Sequence, residues 1–333
     1  MTVSPTKRAA LVEHARLAIK VGSQSFSAAA RLFDRETRER AWLLYAWCRR
    51  CDDIADNQEM GGVLGDQSDL GARLALIRRL TALAFAGKPT GDPGFDAFGL
   101  VAREVGLTPA MAEDVIAGFQ LDAEDWRPRT EADMLRYCYH VAGAVGVMMA
   151  VVMGVDPKDQ ETLDRANDLG LAFQLSNIAR DIVEDDAAGR CYLPVEWLVQ
   201  QDIEPGQHTK PHHRKELAAM AARLVALVEK HEAAARVGAA KLPFRSRWAV
   251  LSAARIYGAI GRKVRARGPE AWNSRTYVPR AEKALYGVRA FLSAVINREK
   301  VPKGGIDWGI ADFRPTLTLV IARSRRRRGN PEP

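Results

Sequence analysis

Residues 174–194 read QLSNIARDIVEDDAAGRCYLP, and the spacing of their polar side chains predicts a helix. Asn177, Asp181 and Asp185 are four residues apart, so that about 3.6 residues per turn places all three on one helix face. Carboxylates in a row repel one another unless a cation lies among them, and oxygen ligands suit Mg²⁺ or Mn²⁺. The stretch therefore predicts a metal-binding helix face, with a solvated acidic face as the alternative.

A second acidic pair favours the metal-binding interpretation. Residues 45–56 read YAWCRRCDDIAD and place Asp52 and Asp56 four residues apart, with Asp53 between them and Arg49 one turn upstream. The residues just before this pair are aromatic and aliphatic, which is typical of a buried helix. Two such helices, distant in sequence, are expected to form walls of one cavity. A diphosphate is the expected guest, because Mg²⁺ is typically shared between carboxylates and substrate phosphates.

The whole chain of 333 residues has no strand-like alternation and no glycine-rich phosphate loop. This pattern predicts an all-α, single-domain fold over residues 1–300, followed by a basic tail at 301–333. The principal predicted helices span residues 6–21, 36–56, 72–87, 95–105, 109–120, 131–154, 158–186, 214–240, 246–267 and 283–297.

The apolar run 141–155, VAGAVGVMMAVVMGV, is shorter than the roughly 20 residues of a membrane span and is interpreted as a buried helix. Its small residues Gly143, Ala144 and Gly146 leave room for a neighbouring helix or for a ligand chain, and both options stay open here. The N-terminus has no signal-peptide pattern, so a cytoplasmic protein is expected. Four scattered cysteines favour neither a disulfide framework nor a zinc site.

The formal net charge is +8, and much of the excess lies in the arginines of residues 323–328. Such a run binds nucleic acid, contacts an anionic membrane, or is a solvated tail. Nucleic-acid binding is disfavoured because the acidic pairs lie in the centre of the chain. The sequence LTLVIARSRRRR at 317–328 puts apolar residues beside the basic ones, as in an interfacial anchor. We therefore expect no nucleic-acid partner and a peripheral contact at the inner face of the cytoplasmic membrane.

Four stretches of the chain, in order SQSF, YAWCRRCDDIAD, LRYCYHVAGAVG and FQLSNIARDIVEDDAAGRCYLP, resemble the head-to-head prenyl synthase family. This family includes bacterial phytoene synthases together with squalene and dehydrosqualene synthases, and the similarity covers about residues 9–283. The resemblance implies the all-helical isoprenoid synthase fold, in which the two acidic motifs lie across a central cavity from one another.

The resemblance also implies site residues. The implied metal ligands are Asp52, Asp56, Asn177, Asp181 and Asp185. The four aspartates are also implied catalytic residues, together with the aromatic side chains Tyr45 and Tyr137. The implied substrate-binding residues are Ser23, Ser25, Phe26, Arg49, Val141, Ala142, Gly146, Gln174, Arg180, Tyr257 and Arg275. Asp186 departs from the usual pattern by adding a third carboxylate after the second motif, which is interpreted as a helix-end charge.

The implied reaction is the head-to-head condensation of two geranylgeranyl diphosphates, through prephytoene diphosphate, to phytoene. This is the first committed step of carotenoid biosynthesis, which makes downstream carotenoid enzymes candidate partners. The implied cofactor is Mg²⁺ or Mn²⁺, and NADPH is not expected. The alternative is a squalene or dehydrosqualene synthase that uses farnesyl diphosphate, because the sequence pattern does not show which side chains set the chain length.

Overall fold

The computed structural model describes residues 5–22, 29–58, 65, 69–123 and 126–296. Within these ranges the regular elements are helical and no strand occurs, as the sequence predicts. The α-helices are α1 (Pro5–Gly22), α2 (Arg35–Ala55), α3 (Leu70–Phe85), α4 (Pro93–Val105), α5 (Pro109–Ala123), α6 (Glu131–Cys138), α7 (Ala144–Val152), α8 (Gln160–Ala187), α9 (Val195–Val199), α10 (Arg214–Ala239), α11 (Phe244–Arg267) and α12 (Arg280–Ile296).

The first acidic motif lies at the end of α2, which is held in the core by its aromatic residues. Asp34 caps the helix by accepting a hydrogen bond from the backbone N–H of Thr37 at 2.9 Å. Trp47 is fully buried, and its ring stacks on Phe98 of α4 with the ring centroids 4.3 Å apart. Its indole N–H also donates to the hydroxyl of Thr81 in α3 at 3.3 Å. These contacts fix the helix turn that follows, where the carboxylates begin.

The second acidic motif lies on α8, which packs against α7, α10 and α11. Glycines bring α8 close to α7 and to residues 139–143 just before it: a Cβ on Gly146 would lie 2.7 Å from the carbonyl oxygen of Ala166, and one on Gly170 would lie 2.5 Å from that of Ala142. The space beside these glycines is therefore filled by a neighbouring helix, which answers the question that the sequence left open.

We expect Gly170→Ala to destabilise the protein by about 1–3 kcal/mol, because the added methyl group would meet backbone atoms that cannot move alone. Gly287→Ala in α12 is the matched control, since a Cβ there has nothing within 4 Å. That substitution is expected to stabilise the protein by about 0.5–1 kcal/mol through helix propensity. Urea unfolding of both variants measures the difference. Equal effects of the two substitutions would mean that α7 and α8 are not packed this closely.

The helix bounds in the structure differ from the predicted ones by up to three residues, and two elements differ in kind. The helix predicted over 131–154 contains a π-helical segment, Tyr139–Gly143, between α6 and α7. The short helix α9 was not predicted, and α12 begins at Arg280 rather than Lys283. Among the described residues, Glu131–Val152 is long and apolar enough to cross a membrane, so the length argument from 141–155 alone was too narrow. Most of its apolar window, 67%, is nevertheless buried in the fold, as in a core helix.

Candidate active site

An arginine near the end of α2 contacts two carboxylates of the first motif. Arg49 forms ion pairs with Asp52 at 3.2 Å and with the buried Asp53 at 3.0 Å. Burial, and then repulsion from Asp56, raises the pKa of the Asp52 carboxyl to about 6. Burial also raises the pKa of Asp56. The raised pKa values show that this partly buried cluster disfavours its carboxylate charges, which a bound cation would offset.

The second motif, on α8, likewise combines carboxylates with arginine side chains. The side chain of Asp181 is held between two arginines, Arg180 at 2.7 Å and Arg275 at 3.0 Å. Burial and the neighbouring charge of Asp181 raise the pKa of the Asp185 carboxyl to about 6. Asn177 lies one turn before Asp181 on this helix and is half-buried. The structure thus brings the predicted amide, carboxylates and arginines of this motif together.

Arg190, which sequence reasoning did not select, connects the two motifs electrostatically. Its positive charge lowers the pKa of Asp56 in the first motif and also that of Asp185 in the second, against the larger effect of burial. The backbone N–H of Arg190 is fixed by a 2.8 Å hydrogen bond to the carbonyl of Asp185, just after the end of α8. The sequence GRCYLP that contains Arg190 carries no pattern that indicates an electrostatic effect on residue 56.

Asp122 is a second site residue that the sequence pattern did not single out. Its carboxylate accepts hydrogen bonds from the hydroxyls of Tyr137 at 2.9 Å and Tyr192 at 3.4 Å. Asp122 is partly open to solvent, but the burial of its carboxyl raises its pKa, as does the charge of Asp56. The charge of Asp122 in turn acts on Asp52. Trp126, Tyr137 and Tyr192 form a stack with centroid distances of 5.7 and 4.8 Å. An aromatic wall therefore adjoins the first motif.

The other predicted aromatic residues also lie beside the motifs. Tyr45 is half-buried on α2, one turn before Arg49, and burial raises its pKa. Tyr257 of α11 stacks on Phe173 of α8 with centroids 4.1 Å apart. The charge of Arg180 acts on this phenol. Three rings, Tyr45, Tyr137 and Tyr257, are thus placed near the acidic residues.

The residues predicted to line an isoprenoid channel lie in and after the π-helical segment. Val141 and Ala142 are half-buried within it, and Gly146 packs on α8. Gln174 is half-buried on α8, one turn before the metal-ligand positions begin. Their contact with substrate stays a prediction. The predicted flap residues Ser23, Ser25 and Phe26 lie outside the described residues, as does the arginine tail.

Asp186, the additional carboxylate after the second motif, has separate partners. It accepts a hydrogen bond from the hydroxyl of Thr209 at 2.5 Å, and the buried His208 lies 3.8 Å away through Nε2. The polar loop before α10 is thus fastened to the end of α8 through this side chain. These contacts fit a structural role at the helix end, which the sequence also indicates.

The donor set fits a divalent metal ion in its chemistry. Carboxylates and an amide carry the hard oxygen ligands that Mg²⁺ and Mn²⁺ prefer, and burial together with a neighbouring carboxylate raises the pKa values of Asp52 and Asp185, a penalty that a bound cation would relieve. Within the described ranges no three acidic, histidine or cysteine side chains converge as a ready-made cage. Water and diphosphate oxygens would therefore complete the coordination, as is usual for Mg²⁺. Among these residues Arg49 also has a buried Nε without a hydrogen-bond partner, which suits an anionic ligand.

The all-helical fold and its two acidic helices, each flanked by arginines and aromatic rings, define the isoprenoid synthase class. The chain belongs to the squalene/phytoene synthase family, whose model matches residues 19–282. The expected family and fold class are thereby confirmed.

Curated relatives at high identity are phytoene synthases. The chain is 46% identical to a phytoene synthase of Pseudescherichia vulneris over 275 residues, covering 82% of this chain and 88% of that protein. It is 44% identical to a 15-cis-phytoene synthase of Pantoea ananas over 291 residues, covering 86% and 93%.

Solved structures give the same fold. A dehydrosqualene synthase bound to a ligand superimposes with a TM-score of 0.73 at 27% identity, over 86% of this chain and 96% of that one. A squalene synthase from Alicyclobacillus acidocaldarius superimposes with a TM-score of 0.71 over 79% of this chain and 96% of that one. At 23% identity the second structure supports the fold alone.

Proposed function

We propose that this protein is a prenyltransferase that condenses two molecules of geranylgeranyl diphosphate head to head, through prephytoene diphosphate, to phytoene. The observation that carries the proposal is the 44–46% identity to bacterial phytoene synthases over most of the chain. The alternative, condensation of farnesyl diphosphate, rests on structural neighbours with 27% identity or less. A prenyl diphosphate substrate is common to both.

The metal ligands in this proposal are Asp52 and Asp56 on one side and Asn177, Asp181 and Asp185 on the other. Mg²⁺ or Mn²⁺ bound there would neutralise diphosphate oxygens and so favour ionisation of the allylic C–O bond. NADPH is not part of this reaction, because no reduction step is needed.

The arginines of the site complete the binding of the leaving group. Arg49, Arg180 and Arg275 carry permanent positive charge beside the acidic motifs, so that diphosphate oxygens can replace part of their carboxylate contacts. The charge of Arg190 already acts on both motifs and adds to this attraction. Charge that develops on the departing oxygen is thus stabilised by groups fixed in advance.

The aromatic residues protect and stabilise the positive charge left on the prenyl chain. The ring faces of Tyr45, Tyr137 and Tyr257 attract a cation and exclude water, which would otherwise capture it. The second substrate's double bond attacks the cation, and loss of a proton from the former cationic carbon closes the cyclopropane ring of the intermediate. This intermediate ionises, rearranges and loses a proton to give the central double bond of phytoene. Diphosphate oxygen and a tyrosine hydroxyl are the two candidate proton acceptors.

The test is to incubate purified protein with geranylgeranyl diphosphate or farnesyl diphosphate, with Mg²⁺ or with EDTA. We expect a C40 hydrocarbon with the ultraviolet spectrum of phytoene from the C20 substrate, only with metal and without NADPH. Added NADPH is the control and should change neither rate nor product. Preference for the C15 substrate, or a reduced product formed only with NADPH, would reject the phytoene synthase proposal in favour of the alternative.

The proposed reaction also gives the protein a location. Its substrates carry long hydrocarbon chains and its product is a hydrocarbon, so a cytoplasmic enzyme in peripheral contact with the inner face of the membrane can exchange both with lipid. Contact with the downstream carotenoid enzymes that consume phytoene belongs to the same proposal. No nucleic-acid partner is needed.

A further inference from the structure

The outward side of α12 is apolar, which is unusual for a surface helix. Six large apolar side chains there are between 38% and 61% exposed. They form the outer face of α12: Leu285, Val288, Phe291, Leu292, Val295 and Ile296. At about 100° per residue they cover an arc of roughly 140° around the helix. A surface helix normally presents polar residues on this side, so the outer face is a candidate contact surface.

The inner side of the same helix is firmly attached to α11. Ala290 and Ala294 are fully buried against it, and the indole N–H of Trp248 donates to the carbonyl of Gly287 at 2.8 Å. Arg255 donates to the hydroxyl of Ser293 at 2.7 Å. The helix therefore already has its place in the fold, and its apolar outer face is presented outward by these contacts.

The charges on α12 distinguish between possible occupants. The helix carries Arg280, Lys283 and Arg289, of which the two arginines are exposed. Its one acidic residue, Glu282, is paired with Lys263 of α11 at 2.9 Å. A second copy of this chain packed on the same face would bring like charges together, whereas an anionic surface would be attracted.

The width of the apolar surface also favours a lipid surface over a second copy of this chain. A two-helix contact needs a narrow seam, but Phe291 widens the face by packing edge-on against Phe244 of α11, with ring centroids 5.6 Å apart. Phe244 is itself 40% exposed, and Tyr277, just before α12, is 71% exposed. A broad apolar surface with aromatic and basic residues at its margin is typical of helices that lie in the lipid interface.

We propose that the outer face of α12 docks on an anionic lipid bilayer, with the helix lying in the plane of the interface. This proposal rests on the peripheral membrane contact proposed above and names the surface that makes it. The sequence alone indicated only the C-terminal tail for that contact. Apolar side chains would enter the boundary between headgroups and acyl chains, while Arg280 and Arg289 would meet anionic headgroups.

The experiment is co-sedimentation of the full chain with vesicles of phosphatidylglycerol and phosphatidylcholine, and with phosphatidylcholine alone. We expect binding to the anionic vesicles that weakens with salt, and an at least tenfold lower partition coefficient for Leu292→Asp/Val295→Asp. Val199→Asp is the matched control, because Val199 is 65% exposed on α9, away from this face. That variant should bind like the wild type. Arg280→Glu/Arg289→Glu should weaken binding to anionic vesicles while leaving the apolar face intact.

Several outcomes would overturn the proposal. One is binding that survives Leu292→Asp/Val295→Asp but is lost when residues 301–333 are deleted, which would assign it to the tail. Another is a dimer in light scattering that Leu292→Asp disrupts, without vesicle binding by the wild type. Activity on geranylgeranyl diphosphate in detergent is measured in parallel. Its absence in a wild type that binds vesicles would reject the proposed reaction and leave the docking surface standing.

Discussion

Replacement of Asp185 by asparagine is expected to lower kcat/KM for the C20 diphosphate at least about 10²-fold, with little change in stability. The carboxyl lies on α8 one turn after Asp181, and burial together with that neighbour raises its pKa to about 6. An isosteric amide removes the negative charge that a metal ion needs, but it relieves repulsion in the folded protein. Steady-state kinetics at several Mg²⁺ concentrations should show a raised requirement for metal, and urea unfolding should show a fold at least as stable.

Asp186→Asn is the matched control for this prediction. This substitution removes the same charge one residue further along the chain. The side chain of Asp186 accepts a hydrogen bond from Thr209 instead of lying beside Asp181. The amide oxygen of asparagine can still accept that hydrogen bond. We expect a less than about fivefold loss of kcat/KM, in line with the small effects of substitutions away from a reacting centre. Equal losses for the two variants would show that general negative charge, and not the helix face, determines activity.

The contrast between these neighbours was predictable from the sequence, because helix geometry alone separates them. A spacing of four residues puts Asp181 and Asp185 on one face, and residue 186 falls about 100° away from residue 185. The same local rule placed Asp52 and Asp56. Local periodicity is therefore enough to predict which functional residues share a face, wherever they lie on one helix.

The contributions of Arg190 and Asp122 were not predictable in this way. Asp122 lies in the last turn of α5 and Arg190 just after the end of α8, where sequence patterns indicate only caps and turns, and each acts on residues more than 60 positions away. Their role depends on how helices pack, as does the choice between a helix and a ligand beside Gly146. A three-dimensional arrangement of remote elements leaves no periodic signal in the chain.

Asp122→Ala and Tyr137→Phe are each expected to lower kcat about 10–10²-fold, because a misplaced aromatic wall no longer matches the position of the cationic centre. Asp122 acts as a positioning residue: its carboxylate accepts hydrogen bonds from the hydroxyl of Tyr137 at 2.9 Å and from that of Tyr192 at 3.4 Å. Because both substitutions break the same bond, the double variant should be little worse than the poorer single one. A double-mutant cycle in kcat measures this coupling.

Tyr139→Phe provides the control that separates positioning from general packing. Tyr139 is a buried tyrosine of the neighbouring π-helical segment, and its hydroxyl donates to Asp114 at 2.6 Å, so the lost bond is of the same kind. The charges that act most strongly on Asp52 are those of Asp56, Arg49, Asp53 and Asp122, and Asp114 is not among them. Tyr139→Phe should therefore cost about 1–3 kcal/mol of stability and leave kcat within about threefold.

Additive effects in the Asp122 and Tyr137 cycle, or an equal loss of kcat in Tyr139→Phe, would refute the positioning role. If Asp122 and Tyr137 are coupled and Tyr139→Phe remains active, Asp122 positions the aromatic wall. The charge of the same carboxylate also acts on Asp52, a proposed metal ligand. Diphosphate binding and carbocation protection would then depend on one shared group.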